Sequence, residues 1–125
     1  ILDVFNAHPR EVTHRSGHDP ARGAPDYDEM TDEALVLRAR NWEALCRYGW
    51  HPYMHNPQLK RWLRCIQSPT LVLWGASDRI VTPAYGKAYA DLIPGARFVE
   101  IAGAGHHPEI EQPAALAEQV IAFMQ

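Results

Sequence analysis

The sequence has no long hydrophobic run and no recognisable targeting segment. Its uninterrupted apolar stretches, such as Leu71–Trp74, are only a few residues long, whereas a membrane-spanning helix needs roughly 20 apolar residues. No positively charged segment followed by an apolar stretch opens the chain, so the sequence predicts no signal peptide. We therefore expect a cytoplasmic protein that has no membrane partner.

Cysteine is scarce and neither sign of charge dominates. The 12 Lys and Arg against 15 Asp and Glu leave a formal net charge of −3, which gives no electrostatic reason to expect nucleic acid as a partner. The two cysteines, Cys46 and Cys65, lack the C-x-x-C spacing of metal and redox pairs. We interpret them as reduced packing residues, in keeping with a cytosolic protein.

The chain changes character near Ser68 and Pro69. A length of 125 residues suits one core of ordinary domain size. We predict a helical lid or cap segment over residues 1–67 and an α/β core segment over residues 68–125, where strands and helices alternate. Because the chain begins at Ile1 rather than Met, we expect it to be a segment of a longer protein.

The first segment contains two predicted helices. Thr31 is a good N-cap residue, and the helix that follows has apolar residues at spacings of three and four up to Gly49. Asn56 and Pro57 supply the start of the second helix, which ends before Pro69. We expect residues 6–26 to be a loop or loosely helical, and their histidines are too irregularly spaced for a zinc motif.

The second segment reads as strand, helix, strand, helix. Strands are predicted at Thr70–Trp74 and Ala96–Ala102, and helices at Pro83–Leu92 and from Pro113 onward. This order predicts parallel strands in a right-handed crossover unit. The inner face of the last helix is predicted to consist of Leu116, Ala117, Val120, Ile121 and Met124.

Two parallel strands are too few for an independently stable sheet. An apolar strand such as Leu71–Trp74 is expected to have a neighbour on each side, and the sequence supplies one. We therefore expect the missing N-terminal half of the core upstream of Ile1. The isolated chain should have an exposed strand edge and a tendency to self-associate.

Two chemically suggestive loops follow the predicted strands. Asp78 comes after the first strand and His106 after the second, and ligands bind at the carboxyl ends of strands in open parallel sheets. A carboxylate there can accept a hydrogen bond from one imidazole nitrogen. The other nitrogen is then free to take a proton from a nucleophile or from water. We predict that Asp78 and His106 act together in this way.

Both loops resemble those of the α/β-hydrolase superfamily. L-V-L-W-G-A-S-D-R-I-V-T-P is similar to the strand and acid loop, where the position of Asp78 holds the triad acid. I-A-G-A-G-H-H-P-E-I-E-Q-P resembles the histidine loop G-H-x-P-x-x-E-x-P, in which His106 matches the base and His107 the variable position. The resemblance implies the C-terminal portion of an α/β-hydrolase fold, with parallel strands flanked by helices. It assigns structural support of the histidine loop to Gly105, Pro108 and Glu111.

The resemblance also implies a lid and a substrate pocket. The helical segment precedes the last strands, where family members insert a variable lid. The candidates for an apolar pocket are Trp42, Trp50, Tyr53 and Met54, although packing within the lid is the commoner role for such residues. A small-molecule substrate with an apolar part is expected, and no cofactor is implied. A metal site at His106 and His107, with Glu109 or Glu111 as a further ligand, is disfavoured, because nearby positions in one tight loop rarely converge on one ion.

The sequence departs from the family at the nucleophile. It contains no G-x-S-x-G motif, and none of Ser16, Ser68 and Ser77 has flanking glycines in that pattern. The oxyanion hole of the family also belongs to the N-terminal half of the core. We therefore expect this chain to be inactive alone.

Three functions remain open on these residues. The first is hydrolysis of an ester or a related acyl or C–C bond through a nucleophile–His106–Asp78 triad. The second is a dehalogenase or epoxide hydrolase with an Asp nucleophile, in which His106 activates water against a covalent ester. The third is a non-catalytic ligand-binding protein or receptor of the same fold.

Overall fold

The computed structural model describes residues 7–20, 25–49 and 54–125. Its elements are, in chain order, α1 (Pro9–Ser16), α2 (Asp32–Gly49), α3 (Leu59–Leu63), β1 (Leu71–Gly75), α4 (Pro83–Ala90), β2 (Arg97–Ile101), α5 (Pro108–Glu111) and α6 (Pro113–Met124). The chain forms two compact units. The helical unit is Pro25–Leu59, and the core unit combines the described residues before Pro25 with Lys60–Gln125. Among the described residues, none of the helices combines the length and hydrophobicity needed to cross a membrane.

The core unit contains a parallel pair of strands. β1 and β2 pair in register from Leu71 opposite Arg97 to Gly75 opposite Ile101, and α4 connects them and contacts both. The predicted strand–helix–strand order is thereby confirmed. Within the described part of the chain each strand pairs with the other alone. Self-association through the free edge of β1 remains a prediction.

Close packing of α4 on β1 depends on a glycine. Gly86 is buried against the Trp74 indole, and a Cβ on Gly86 would lie 2.6 Å from a ring carbon of Trp74. The indole Nε1–H donates to the carbonyl of Val81 over 2.9 Å, which satisfies the polar end of this side chain. The buried apolar side chains among the described residues are Leu63, Ala90, Ile93, Ile101 and Ala104.

The start of the chain is more regular than expected. Residues 6–26 were predicted as a loop or loosely helical segment, yet residues 9–16 form the regular helix α1. Pro9 occupies the first turn, where its missing N–H costs no hydrogen bond. The His8 imidazole accepts from the backbone N–H of Arg10 over 3.2 Å, and Arg15 pairs with Glu11 over 2.7 Å. These local contacts stabilise the helix, but they were not predicted because the apolar residues of this segment have no helical spacing.

The helical unit confirms the predicted helix start at Thr31. The Thr31 Oγ1 accepts from the backbone N–H of Ala34 over 3.3 Å, and its carbonyl accepts from Leu35 over 3.0 Å. α2 then continues through Gly49, and none of its residues is buried. The second predicted helix is shorter than expected: Asn56 Oδ1 accepts from the Gln58 N–H over 2.9 Å, but the helix covers only Leu59–Leu63.

The predicted inner face of α6 is wrong in part. Of the five residues expected inside, Ala117, Val120, Ile121 and Met124 are exposed, Ile121 by 58% and Met124 by 80%. Leu116 is half-buried as expected, and so is Phe123, whose ring lies 5.5 Å from the Arg97 guanidinium carbon. α6 is apolar around most of its circumference, so its periodicity does not select one face. The division of the chain into a lid over 1–67 and a core over 68–125 remains a prediction.

Candidate active site

Asp78 is a buried carboxylate with every oxygen engaged. The loop after β1 returns sharply, with the Asp78 N–H donating to the carbonyl of Gly75 over 3.1 Å. Asp78 is 5% exposed, and its Oδ1 accepts from the backbone N–H groups of Ile80 and Val81 over 2.8 and 2.9 Å. Its Oδ2 lies 2.9 Å from the Nδ1 of His106. Two amides therefore fix the carboxylate, and its second oxygen faces the imidazole.

His106 is anchored on one side and open on the other. Its Nδ1 meets Asp78, and its backbone N–H donates to the carbonyl of Ser16 over 2.6 Å. The side chain is 37% exposed. With the proton on Nδ1 donated to Asp78, Nε2 is the nitrogen that can exchange a proton with a reactant. The His107 ring stands edge-on to that of His106, with centroids 5.2 Å apart.

The two loops approach closely because glycines occupy the contact. A Cβ on Gly75 would lie 2.7 Å from the carbonyl carbon of Gly105 and 2.8 Å from the carbonyl oxygen of Ala104. Backbone bonds join the same loops: the N–H of Ser77 donates to Ala104 over 2.8 Å. The glycines thereby bring the acid and the base within hydrogen-bonding distance.

Glu111 connects the histidine loop to a distant part of the chain. Its Oε2 accepts from the Gly105 N–H and its Oε1 from the His18 N–H, each over 2.6 Å. Pro108 begins α5, the short helix that ends at Glu111. Of the three residues to which the resemblance assigned support of the loop, Gly105 and Glu111 are thus joined by a hydrogen bond, and Pro108 begins the helix that carries Glu111.

Sequence reasoning missed the segment at residues 16–18. His18 Nδ1 lies 2.7 Å from Ser77 Oγ, although 59 positions separate the two residues. Arg79 donates from its guanidinium to the carbonyl of Gly17 over 2.8 Å. The sequence predicts only a loop or loosely helical segment over residues 6–26, to which His18 belongs. No local pattern could indicate its position, because its hydrogen-bond partners Glu111 and Ser77 are 93 and 59 positions away.

His107 and Glu109 form an exposed pair beside the site. The His107 Nδ1 and the Glu109 Oε1 are 3.1 Å apart, and both side chains are about half exposed. Partial burial would raise the pKa of Glu109. Hydrogen bonds from its own backbone N–H and from His107, with the nearby imidazole charges, instead bring that pKa below its ordinary value. Among the described residues, no three His, Cys, Asp or Glu side chains are arranged to hold a metal ion.

The pocket candidates lie apart from these loops in the sequence. Trp42 is half-buried and Met54 is 56% exposed, and both belong to the helical unit. Trp50 and Tyr53 lie outside the described residues. The assignment of these four residues to a substrate pocket remains a prediction.

Comparison with known proteins relates the sequence to hydrolases. LipZ of Mycobacterium tuberculosis, which is named as a hydrolase, is 31% identical over 95 residues, covering 66% of this chain and 33% of that protein. BpoC of the same organism, named as a non-heme bromoperoxidase, is 39% identical over 61 residues, or 48% of this chain and 23% of that protein. The chain thus spans a third or less of these curated relatives.

Solved structures and a family model give the same relationship. A thermophilic esterase from Thermogutta terrifontis superposes with a TM-score of 0.53 at 37% identity, covering 54% of this chain and 25% of the esterase. The family model described as the alpha/beta hydrolase fold matches residues 15–113, and this confirms the predicted fold class. The chain belongs to the α/β-hydrolase family.

Proposed function

We propose that this chain supplies the acid and the base of a catalytic triad that hydrolyses an ester or a related acyl or C–C bond. The observation that carries the proposal is the contact of 2.9 Å between the buried Asp78 carboxylate and the His106 imidazole. A carboxylate held by two amides and facing Nδ1 sets both the tautomer and the orientation of the ring. The substrate is a small molecule with an apolar part.

In the proposed reaction His106 transfers one proton in each of two steps. Its Nε2 takes the proton of the nucleophile as the nucleophile attacks the substrate carbonyl, and it returns that proton to the leaving group. It then takes a proton from the water that attacks the acyl group, and it returns this proton to the nucleophile as the bond between nucleophile and acyl group breaks. In both steps Asp78 stabilises the imidazolium. The Asp78 carboxylate is oriented by hydrogen bonds from the backbone N–H groups of Ile80 and Val81.

The nucleophile and the oxyanion donors come from other residues of the protein. The sequence contains no G-x-S-x-G motif, and in this family the amide after the nucleophile forms part of the oxyanion hole. The likeness to LipZ, which is named as a hydrolase, and to the Thermogutta esterase favours acyl hydrolysis. A serine nucleophile in the complete protein would serve that reaction. An aspartate there would turn the same pair toward dehalogenase or epoxide chemistry.

The test is turnover of short- and medium-chain p-nitrophenyl esters by the complete protein that carries this chain. His106→Ala and Asp78→Asn are each expected to lower kcat by about a thousandfold or more. The first variant has no base, and the second no longer holds the imidazole in the reactive tautomer or stabilises the imidazolium. His14→Ala, at an exposed histidine of α1, is the matched control and should keep wild-type kcat. Far-UV circular dichroism should be unchanged in all three variants.

Two results would contradict the proposal. Turnover retained in folded His106→Ala would exclude His106 as the base. A complete protein that turns over no ester yet binds apolar small molecules would support the non-catalytic alternative instead.

A further inference from the structure

Three consecutive residues near the start of the chain contact both loops of the candidate triad. On the histidine loop, the carbonyl of Ser16 accepts from the His106 N–H over 2.6 Å. On the acid loop, the carbonyl of Gly17 accepts from the Arg79 guanidinium over 2.8 Å. His18 then contacts the acid loop again, because its Nδ1 lies 2.7 Å from Ser77 Oγ. We call residues 16–18 the bridging segment.

The bridging segment lies directly on the glycine of the histidine loop. A Cβ on Gly105 would be 2.8 Å from the carbonyl carbon of Gly17 and from the backbone nitrogen of His18. Only a residue without a side chain allows the two backbones to come this close. The contact therefore depends on the same glycine that precedes the candidate base.

Glu111 closes the connection with one carboxylate. Its two oxygens accept separately from the N–H of Gly105 and the N–H of His18, each over 2.6 Å. Hydrogen bonds to an ionised acceptor are shorter and about twice as strong as neutral ones. A single side chain thus holds the histidine loop and the bridging segment against each other.

The loop residues contacted by His18 and by Glu111 are direct sequence neighbours of the two candidate triad residues. Ser77, the partner of the His18 side chain, directly precedes Asp78, and Gly105, a partner of Glu111, directly precedes His106. A shift of either loop would change the separation between the carboxylate and the imidazole. Misplacement of reacting groups by about 1 Å can cost a hundredfold in rate.

We propose that His18 is a positioning residue, which holds the acid loop through Ser77 while Glu111 holds it to the histidine loop. The bridging segment thereby sets the geometry of Asp78 and His106 without touching the substrate. This inference rests on the proposed function, since its main readout is the turnover of the complete protein.

The first experiment measures kcat and KM of the complete protein with p-nitrophenyl esters. His18→Ala is expected to lower kcat by about tenfold, because the pair spends less time in the reactive geometry. KM should remain within about twofold, since no substrate contact is removed. His18→Asn should recover most of the loss, because an amide can occupy the position of Nδ1 and bond Ser77. His14→Ala is the matched control.

A double-mutant cycle tests whether His18 acts through Ser77. Ser77→Ala should lower kcat about as much as His18→Ala, and the double variant should lose little more than either. Additive losses would show that His18 does not act through Ser77 and would overturn the proposal.

The role of Glu111 is tested with Glu111→Gln, which keeps the size of the side chain but removes its charge. A fall in kcat of about tenfold is expected, whereas the matched change Glu118→Gln on the exposed surface of α6 should leave kcat unchanged. If Glu111→Gln does not fold, the His18 and Ser77 variants decide the matter alone.

The outcomes separate the two proposals. If the wild-type protein is inactive, or if its turnover survives His106→Ala, the proposed function is wrong. If turnover depends on His106 but His18→Ala keeps wild-type kcat, the proposed function stands and the positioning role is wrong. If His18→Ala has a lower melting temperature but unchanged kcat, His18 stabilises the fold and has no role in positioning Asp78 and His106.

Discussion

The core unit and the helical unit of this molecule obtain their structure in different ways. In the core unit, Asp78 and Ile101 are buried, and polar groups such as the Glu111 carboxylate bond partners as many as 93 positions away. In the helical unit, α2 has no buried residue, and its Leu37 side chain is 60% exposed. The contacts that hold α2 are local, such as the Thr31 cap and the pair between Arg47 and Glu43 at 3.2 Å.

Because of this difference, a substitution in the two loops of the core unit should change the geometry of the site, whereas a substitution in α2 should change only the local stability of the helix. Loops that meet through backbone atoms and glycines cannot absorb an added side chain, because tightly packed atoms have nowhere to move. A solvated helix stabilised by caps and neighbouring side chains can tolerate most substitutions on its surface. The candidate chemistry lies in the first kind of region.

Gly75→Ala should have the largest effect on stability. The new Cβ would collide with the backbone of Gly105 and Ala104, so the two loops must separate, and we expect a loss of about 4 kcal/mol in unfolding free energy. Urea unfolding measures it. Gly95→Ala is the matched control: its φ of +72° is unfavourable for alanine, but nothing lies within 4 Å, so about 1 kcal/mol is expected. Equal losses would contradict the close approach of the loops.

Ile101→Ala compares a buried with an exposed apolar side chain. Ile101 ends β2 and is 3% exposed, so its truncation should cost about 2.5 kcal/mol through lost burial and the cavity left behind. Leu37→Ala, in α2, should change the unfolding free energy by less than about 0.5 kcal/mol. A large loss in Leu37→Ala would show that α2 is covered in solution.

Thr31→Ala tests the local origin of helix stability in the helical unit. Loss of the Oγ1 acceptor for the Ala34 N–H should cost about 1 kcal/mol, seen as faster amide hydrogen exchange in the first turns of α2. Thr82→Ala is the control, because Thr82 precedes α4 without a side-chain capping bond. Similar exchange in wild-type and Thr31→Ala protein would mean that tertiary packing holds the helix start.

The smallest expected effect is the pH dependence contributed by Glu109. Because the folded-state pKa of Glu109 lies below its ordinary value of 4.5, the ionised carboxylate stabilises the fold above that pH. This contribution is lost as the pH falls below 4.5 through the folded-state value. Melting temperatures of wild-type and Glu109→Gln protein should therefore differ slightly at pH 6, and the difference should shrink as the pH falls below 4.5. A difference that persists unchanged at pH 3 would contradict this account, and exposure of the pair keeps the effect small.

Local sequence signals predicted much of the secondary structure. The Thr31 cap, the apolar run at Leu71–Trp74 and the prolines at positions 83 and 113 each indicated the start or course of an element within a few residues. These signals work because caps, covered strands and first-turn prolines act through neighbouring backbone groups. The same local logic failed for α6, where apolar residues surround the helix and only its neighbours decide which side is covered.

The candidate site was predictable in its chemistry and only partly in its support, because the resemblance indicated Gly105, Pro108 and Glu111 but not residues 16–18. Asp78 and His106 follow two parallel strands, so strand order alone brings them to one edge of the sheet. The contact of 2.9 Å between them depends on the exact approach of two loops. That approach involves the bridging segment, which no spacing rule connects to either loop.

By itself the sequence determined both strands, the helices other than α1 and α5, the family, and the two residues of the candidate pair. Local backbone preferences determine where strands and helices begin and end. The order of the parallel strands places the two loops at the same edge of the sheet. Only the tertiary structure decided that Glu111 joins Gly105 to His18 and that His18 meets Ser77. Hydrogen bonds between segments so far apart in sequence leave no local pattern, because their partners become neighbours only when the chain has folded.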